Sequence, residues 1–149
     1  MHKEELISLS KYRLEKSRDM LAAALRDQEN NDQSSANNRA YYCIFHAMRA
    51  VLALDGKDFS KHAGVISYFT QNYLKPEILP KKYGKLITNA SLIRNKSDYE
   101  DFYICSAEDT DRLIQGAKVF FTTVEAYLKA RYTNEPAPEA AEPTATFES

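Results

Sequence analysis

Apolar side chains recur at helical spacing along almost the whole chain. Over residues 3–28, Leu6, Leu9, Leu14, Leu21, Ala24 and Leu25 fall mostly on a common side and predict a first amphipathic helix, closed by the polar run DQENNDQSS. Ser34 or Ser35 suits the cap of a second helix that continues to Leu54 and stops at Asp55 and Gly56. Ser60 is placed to cap a third, KHAGVISYFTQNYLK, which ends before Pro76, and PKKYGKLITNASLIRNKS supplies a fourth. After the aromatic connector DYEDFYICS, Ser106 followed by Asp109 predicts the start of a last helix running through Tyr132. Gly and Pro are so sparse that strand punctuation is nearly absent. The pattern predicts an all-α fold, an antiparallel bundle of about five helices over residues 1–132.

The second helix, within SSANNRAYYCIFHAMRAVLALDG, is unlike the others. At 100° per residue, Ala40, Ala47, Val51 and Leu54 lie on one flank, and Tyr41, Phe45, Met48 and Leu52 on the other. Between them Arg39 and His46 face the same way, within about 20° and about 10 Å apart along the axis. A helix apolar on two flanks belongs in the middle of a bundle or at a subunit interface, with its polar seam lining a cleft. Because an unpaired buried charge costs several kcal/mol, the seam must be paired, hydrated or occupied by an anion.

Two readings of the seam stand open. In one, His46 is a satisfied core histidine and Arg39 reaches a carboxylate. In the other, the pair does chemistry: imidazole moves protons near neutral pH and guanidinium grips phosphate, a minimal outfit for metal-free cleavage of RNA. One histidine is too few for paired acid and base roles, so a twofold axis would complete the site with a second copy.

Composition narrows the setting. The 149 residues are 44% apolar, with sixteen Tyr and Phe in the first 132, enough for one domain with a real core. No apolar run approaches the roughly 18 to 20 residues of a membrane span, and the charged start lacks the apolar centre of a signal peptide, so a cytoplasmic protein without a membrane partner is expected. Cys43 and Cys105 have no partners at metal-site spacing and read as buried free thiols; no metal or cofactor is implied. Residues 133–149, TNEPAPEAAEPTATFES, combine four Glu and three Pro without Lys or Arg and read as a disordered acidic tail. Without that tail the body holds 20 basic and 17 acidic side chains, too thinly spread to establish nucleic-acid binding.

Three blocks in order, NNRAYYCIFHAMRAVL, GKDFSKHAGVISYF and IRNKSDYEDFY, resemble the HEPN domain (higher eukaryotes and prokaryotes nucleotide-binding), in particular its small stand-alone prokaryotic branch, over roughly residues 8–130. The resemblance implies a helical bundle that forms a homodimer through its second helix. It also implies a metal-independent endoribonuclease acting on single-stranded RNA, since many such proteins carry an Arg, four to six intervening residues and a His. Arg39 and His46 have six residues between them. Active members often have a polar residue just after the Arg, where this chain has Ala40; Asn38 precedes it. Bacterial members are often toxins neutralised by a nucleotidyltransferase antitoxin, which in some pairs adenylylates a Tyr two residues after the His. Met48 stands there, so that mode does not carry over, and Tyr41, Tyr42 and Tyr99 are the tyrosines to consider. Other HEPN proteins bind nucleotides or partner proteins without cutting.

The remaining blocks supply further candidates, each with a structural alternative. Lys61 and His62 open the third helix and either contact phosphate or form a solvated helix start. Arg94 and Asp98 are spaced for an ion pair one helical turn apart, or Arg94 grips phosphate in a dimer cleft. The aromatics of DYEDFY either fill core or stack on bases. The candidate site thus has Arg39 and His46 as the catalytic pair, with Asn38, Tyr42, Lys61, His62, Arg94, Asp98 and Tyr99 in supporting or RNA-binding roles.

Overall fold

A computed structural model describes residues 2–99 and 105–133, the side chain of Asp98 excepted. The expected acidic tail from residue 134 onward, and residues 100–104 of the aromatic connector, lie outside the described residues. Among the described residues five α-helices make up the bundle: α1 (Lys3–Glu29), α2 (Gln33–Leu54), α3 (His62–Phe69), α4 (Tyr83–Tyr99) and α5 (Ala107–Thr133). No strand occurs among the described residues, as the periodicity predicts.

The helix ends follow local chemistry, with some differences from expectation. α1 closes when Asn31 takes φ 57°, and Asp32 N–H then bonds the Asp27 carbonyl at 2.9 Å. The next helix starts so soon that Asp32, rather than Ser34 or Ser35, caps α2, accepting the Ser35 N–H at 3.1 Å. That bond holds the Asp32 carboxyl below its ordinary pKa. α2 stops where predicted: Gly56 adopts φ 67° and Lys57 N–H reaches the Leu52 carbonyl at 3.1 Å. Ser60 does not cap α3; Lys61 holds the cap position without a side-chain bond. The preceding segment is instead held by Asp58, which accepts the Phe59 N–H and pairs with Arg13 and Arg49.

The third helix continues past Phe69 as a π-helical turn, Thr70–Leu74, with Lys75 N–H on the Thr70 carbonyl at 2.9 Å. A turn at residues 80–82 delays α4 to Tyr83, and the helix then runs two residues beyond the expected end. Ser106 caps α5 as its spacing predicts, accepting the Asp109 N–H at 3.0 Å.

α2 packs against all four other helices. Its closest partner is α1, which presents small residues: Ser10 Oγ donates to the Ala50 carbonyl and Ser17 Oγ to the Cys43 carbonyl, both at 2.6 Å. Leu14 and Ala24 are buried as expected, but these serines occupy much of the rest of the buried line, and Leu25 lies at the surface. On α2 itself both apolar flanks are buried within one chain; only Leu54 among the eight positions is partly exposed. Of the two places open to a helix apolar on both flanks, α2 takes the middle of the bundle, and neither flank is left over for a second subunit. Phe69, Tyr83 and Phe120 interlock nearby, with ring centroids at 5.0 and 5.9 Å, each fully buried ring contributing about 1.5–3 kcal/mol. Cys43 and Cys105 are buried free thiols, and burial pushes the Cys43 pKa up to about 12, so it stays protonated. No described helix is long and apolar enough to cross a membrane.

Candidate functional site

With α2 enclosed on so many sides, its accessible residues are few. Between Ala36 and Ala53 every residue is buried except Asn38, Arg39, Tyr42, His46 and Arg49, which recur at helical spacing as a single stripe. Ala40 and Met48, flanking it, are fully buried and cannot meet a ligand.

The stripe is cationic and its central histidine is neutral. Burial and the positive charges of Lys16, Arg49 and Arg13 push the His46 pKa down to about 4. Its Nδ1 is buried without a hydrogen-bond partner among the described residues. Arg39 is 46% exposed in its side chain and pairs loosely with Asp27 of α1, Nε to carboxylate at 3.7 Å. That distance is beyond hydrogen-bond reach, and the facing Asp27 oxygen is buried without such a bond among the described residues. The expected carboxylate partner of Arg39 therefore exists, but it does not hold the guanidinium firmly. Further along, Arg13 and Arg49 share the carboxylate of Asp58, at 3.1 Å each.

Aromatic rings connect the stripe to α3 and α4. Tyr42 lies 5.9 Å from His46 and 5.8 Å from His62, while Phe45 lies 5.9 Å from His46 and 4.2 Å from His62, all between ring centroids. Arg94 of α4 spreads over the rings of Tyr41 and Tyr42 at 5.1 and 5.6 Å, with Nη1 3.4 Å from His62 Nδ1. At the other end of the stripe, Asn38, Arg39 and Arg94, with Ser34, Ser35 and Ser97, line an open cleft of about 220 Å³. Two guanidinium groups on facing helices, among hydroxyls and an amide, are equipped to hold a phosphate.

Sequence comparison gives the family. The profile of the HEPN domain matches residues 10–127. The chain belongs to the HEPN family. Its relatives include a UPF0332 protein of Thermotoga maritima, 29% identical over 127 residues that cover 85% of this chain and 94% of that one. A candidate toxin of Methanocaldococcus jannaschii is 33% identical over 109 residues, 73% of this chain and 81% of the relative. A second candidate toxin of that organism is 25% identical over 127 residues, 85% and 84% of the two chains.

Within this HEPN bundle the expected site residues divide. Asn38, Arg39, Tyr42, His46, His62 and Arg94 gather along one face. Lys61 is exposed at the α3 cap, and Tyr99 is 81% exposed at the end of α4. The side chain of Asp98, and with it the expected pairing to Arg94, lies outside the described residues. Sequence reasoning passed over Lys16 and Arg13, cations that together with burial and Arg49 set the state of His46. Arg49 is legible in the sequence as part of the same stripe, whereas Arg13 and Lys16 belong to α1 and reach the site only through its packing on α2. It also passed over Phe45 as a bridge, because a ring on an apolar flank reads as core.

Proposed function

We propose that this HEPN protein is a metal-independent endoribonuclease, a toxin or defence component of the cytoplasm that cuts single-stranded RNA at a homodimer interface. The observation that carries the reading is the α2 stripe: the accessible line on an otherwise buried helix joins Arg39 to a neutral histidine ringed by cations. The names of two relatives support the toxin role, and a nucleotidyltransferase-type antitoxin is the partner that role implies.

In this mechanism an unprotonated His46 accepts the proton of a ribose 2′-hydroxyl. The 2′-oxygen attacks phosphorus, the 5′-oxygen leaves and takes up a proton, and the products are a 2′,3′-cyclic phosphate and a 5′-hydroxyl. Arg39 stabilises the charge that grows on the non-bridging oxygens. The second protomer supplies the other histidine, on the leaving-group side.

A second reading, a non-catalytic HEPN module binding a nucleotide or partner protein, is favoured by one observation. The cleft of a single chain is lined by Arg39 and Arg94 but not by His46. Incubating single-stranded RNA with the protein in EDTA, beside the Arg39→Ala, His46→Ala variant, separates the two. Fragments ending in cyclic phosphate, made by the unaltered protein and absent with the variant, are expected. No cleavage of varied RNA by antitoxin-free protein removes the ribonuclease reading, and cleavage abolished by EDTA removes its mechanism.

A further inference from the structure

Arg94 reaches the cleft from α4, and rings carried by α2 and α3 meet its guanidinium. Its Cζ lies 5.1 Å from the ring centroid of Tyr41 and 5.6 Å from that of Tyr42. Its Nη1 lies 3.4 Å from Nδ1 of His62, a nitrogen that also stands 3.0 Å from the Tyr41 hydroxyl. A guanidinium has N–H donors and no acceptor, so Nδ1 must carry the lone pair and the neutral imidazole its proton on Nε2. That proton points away from Arg94, and the cleft is lined by Arg39 and Arg94 but not by His62. The imidazole itself is held by Phe45 at 4.2 Å and by Tyr42, edge to face, at 5.8 Å between ring centroids. His62 thus presents a fixed acceptor to Arg94 and bears on the cleft through it.

We propose that His62 is a positioning residue of the same site: its Nδ1 accepts an N–H of Arg94 and, with the faces of Tyr41 and Tyr42, sets that guanidinium in the cleft beside Arg39 to hold a phosphate of single-stranded RNA. The ligand rests on the ribonuclease reading, whereas the contact between His62 and Arg94 does not. An arginine side chain samples many rotamers when unheld, and a ligand that captures it must then bear the cost of ordering it. A guanidinium has five N–H donors, so one given to Nδ1 orders the group without exhausting it. A protonated imidazole would offer Arg94 no acceptor and would set a like charge against it. The neutral ring is therefore the working form, and burial, Arg94 and Arg49 all favour it.

Two substitutions separate the acceptor from the ring. His62→Phe keeps an aromatic ring against Phe45 and removes the acceptor, whereas His62→Asn gives up the ring and keeps an oxygen the same number of bonds from the backbone as Nδ1. The measurement is affinity of the full chain for a single-stranded 2′-O-methyl RNA, which cannot be cleaved, with urea unfolding of each variant to confine the comparison to folded protein. Affinity should fall about fivefold in His62→Phe and stay near the unaltered value in His62→Asn. Once Arg94→Ala has weakened binding, adding His62→Phe should weaken it no further. In the unaltered protein at neutral pH, long-range 1H–15N correlation should show a pyridine-like Nδ1 on His62, a readout that needs no variant to fold. A protonated Nδ1, unchanged affinity in His62→Phe or Arg94→Ala, a loss in His62→Asn equal to or greater than that in His62→Phe, or an undiminished effect of His62→Phe without Arg94 overturns the proposal. Each of these leaves the ribonuclease reading intact so long as the unaltered protein binds RNA; no binding at all overturns the proposal and counts against that reading as well.

Discussion

Polar groups cluster at two places along α2, and the clusters are built on opposite principles. At the C-terminal end, the Asp55 carboxylate accepts hydroxyls from Tyr68 and Tyr73 and lies 3.6 Å from Arg131. Arg131 in turn donates to the hydroxyls of Tyr73 and Tyr127, at 3.0 and 3.2 Å. Positive and negative groups answer one another, and burial together with Asp55 raises the Tyr73 pKa so that its hydroxyl remains a donor. At the stripe, Lys16, Arg13 and Arg49 surround a histidine that they and its burial keep neutral, and Arg39 has a carboxylate only at 3.7 Å. The first cluster spends its charges on the fold. The second has one hydrogen-bonded carboxylate among the described residues, Asp58, shared between Arg13 and Arg49, and so leaves a net positive charge at the accessible line of the helix, which costs stability unless an anion supplies the balance.

That contrast makes the largest expected effect one of rate. Arg39→Ala or His46→Ala should each lower RNA cleavage about 10²- to 10⁴-fold while moving stability by no more than about 1 kcal/mol. Product formation, followed beside urea unfolding of the same variants, checks both halves. A variant that loses activity only in proportion to unfolded protein would erase the distinction between the clusters.

The converse substitution comes next. Asp55→Ala removes the shared acceptor of two tyrosines and the ion partner of Arg131, and should cost about 2 to 3 kcal/mol. Its urea midpoint should fall at constant slope, with cleavage per folded molecule unchanged. A loss under about 0.5 kcal/mol would mean that the Asp55 cluster is as dispensable to the fold as an ordinary surface group.

The two clusters were also unequally legible in the sequence. The stripe could be placed from one helix, because Arg39, Tyr42, His46 and Arg49 keep the spacing of a single face. So could the helix count, the stop at Gly56 and the Ser106 cap, all of which depend on residues within one turn. The Asp55 cluster was hidden, since its members come from α2, the third helix and α5, and the π-helical turn that carries Tyr73 has no period to read. Packing likewise hid Ser10 and Ser17: a serine counts as polar in a helical pattern, yet here each satisfies its hydroxyl on a carbonyl of α2 and lets the helices close up. His62 lay between these cases. Its place at the start of α3 was readable, but its anchoring by Tyr41 and Arg94 is a property of three helices meeting.

The smallest effect separates the clusters by pH. The folded-state pKa of His46, about 4, lies below the ordinary value of 6.5. The unfolded chain therefore takes up its proton first as pH falls, so the stability contributed by the neutral ring is full above about 6.5 and declines toward 4. A shift of that size corresponds to about 3 kcal/mol, which solvent screening of a partly exposed ring reduces to about 1 to 2 kcal/mol. His62, also lowered by burial and by Arg94, adds in the same direction. Asp58 acts elsewhere: its carboxyl is held below 3.8, so its contribution is lost only in stronger acid. His46→Gln should flatten the decline between pH 6.5 and 4, and Asp55→Ala should leave its slope unchanged. Burial is the first cause of the depression and neighbouring cations add to it, so a bound phosphodiester should raise the His46 midpoint by offsetting the cations, readable from ring proton shifts with and without 2′-O-methyl RNA. A midpoint already near 6.5 in the unliganded protein would show that neither burial nor the cations of α1 and α2 act on this ring, and the stripe would then be no more charged in effect than the Asp55 end.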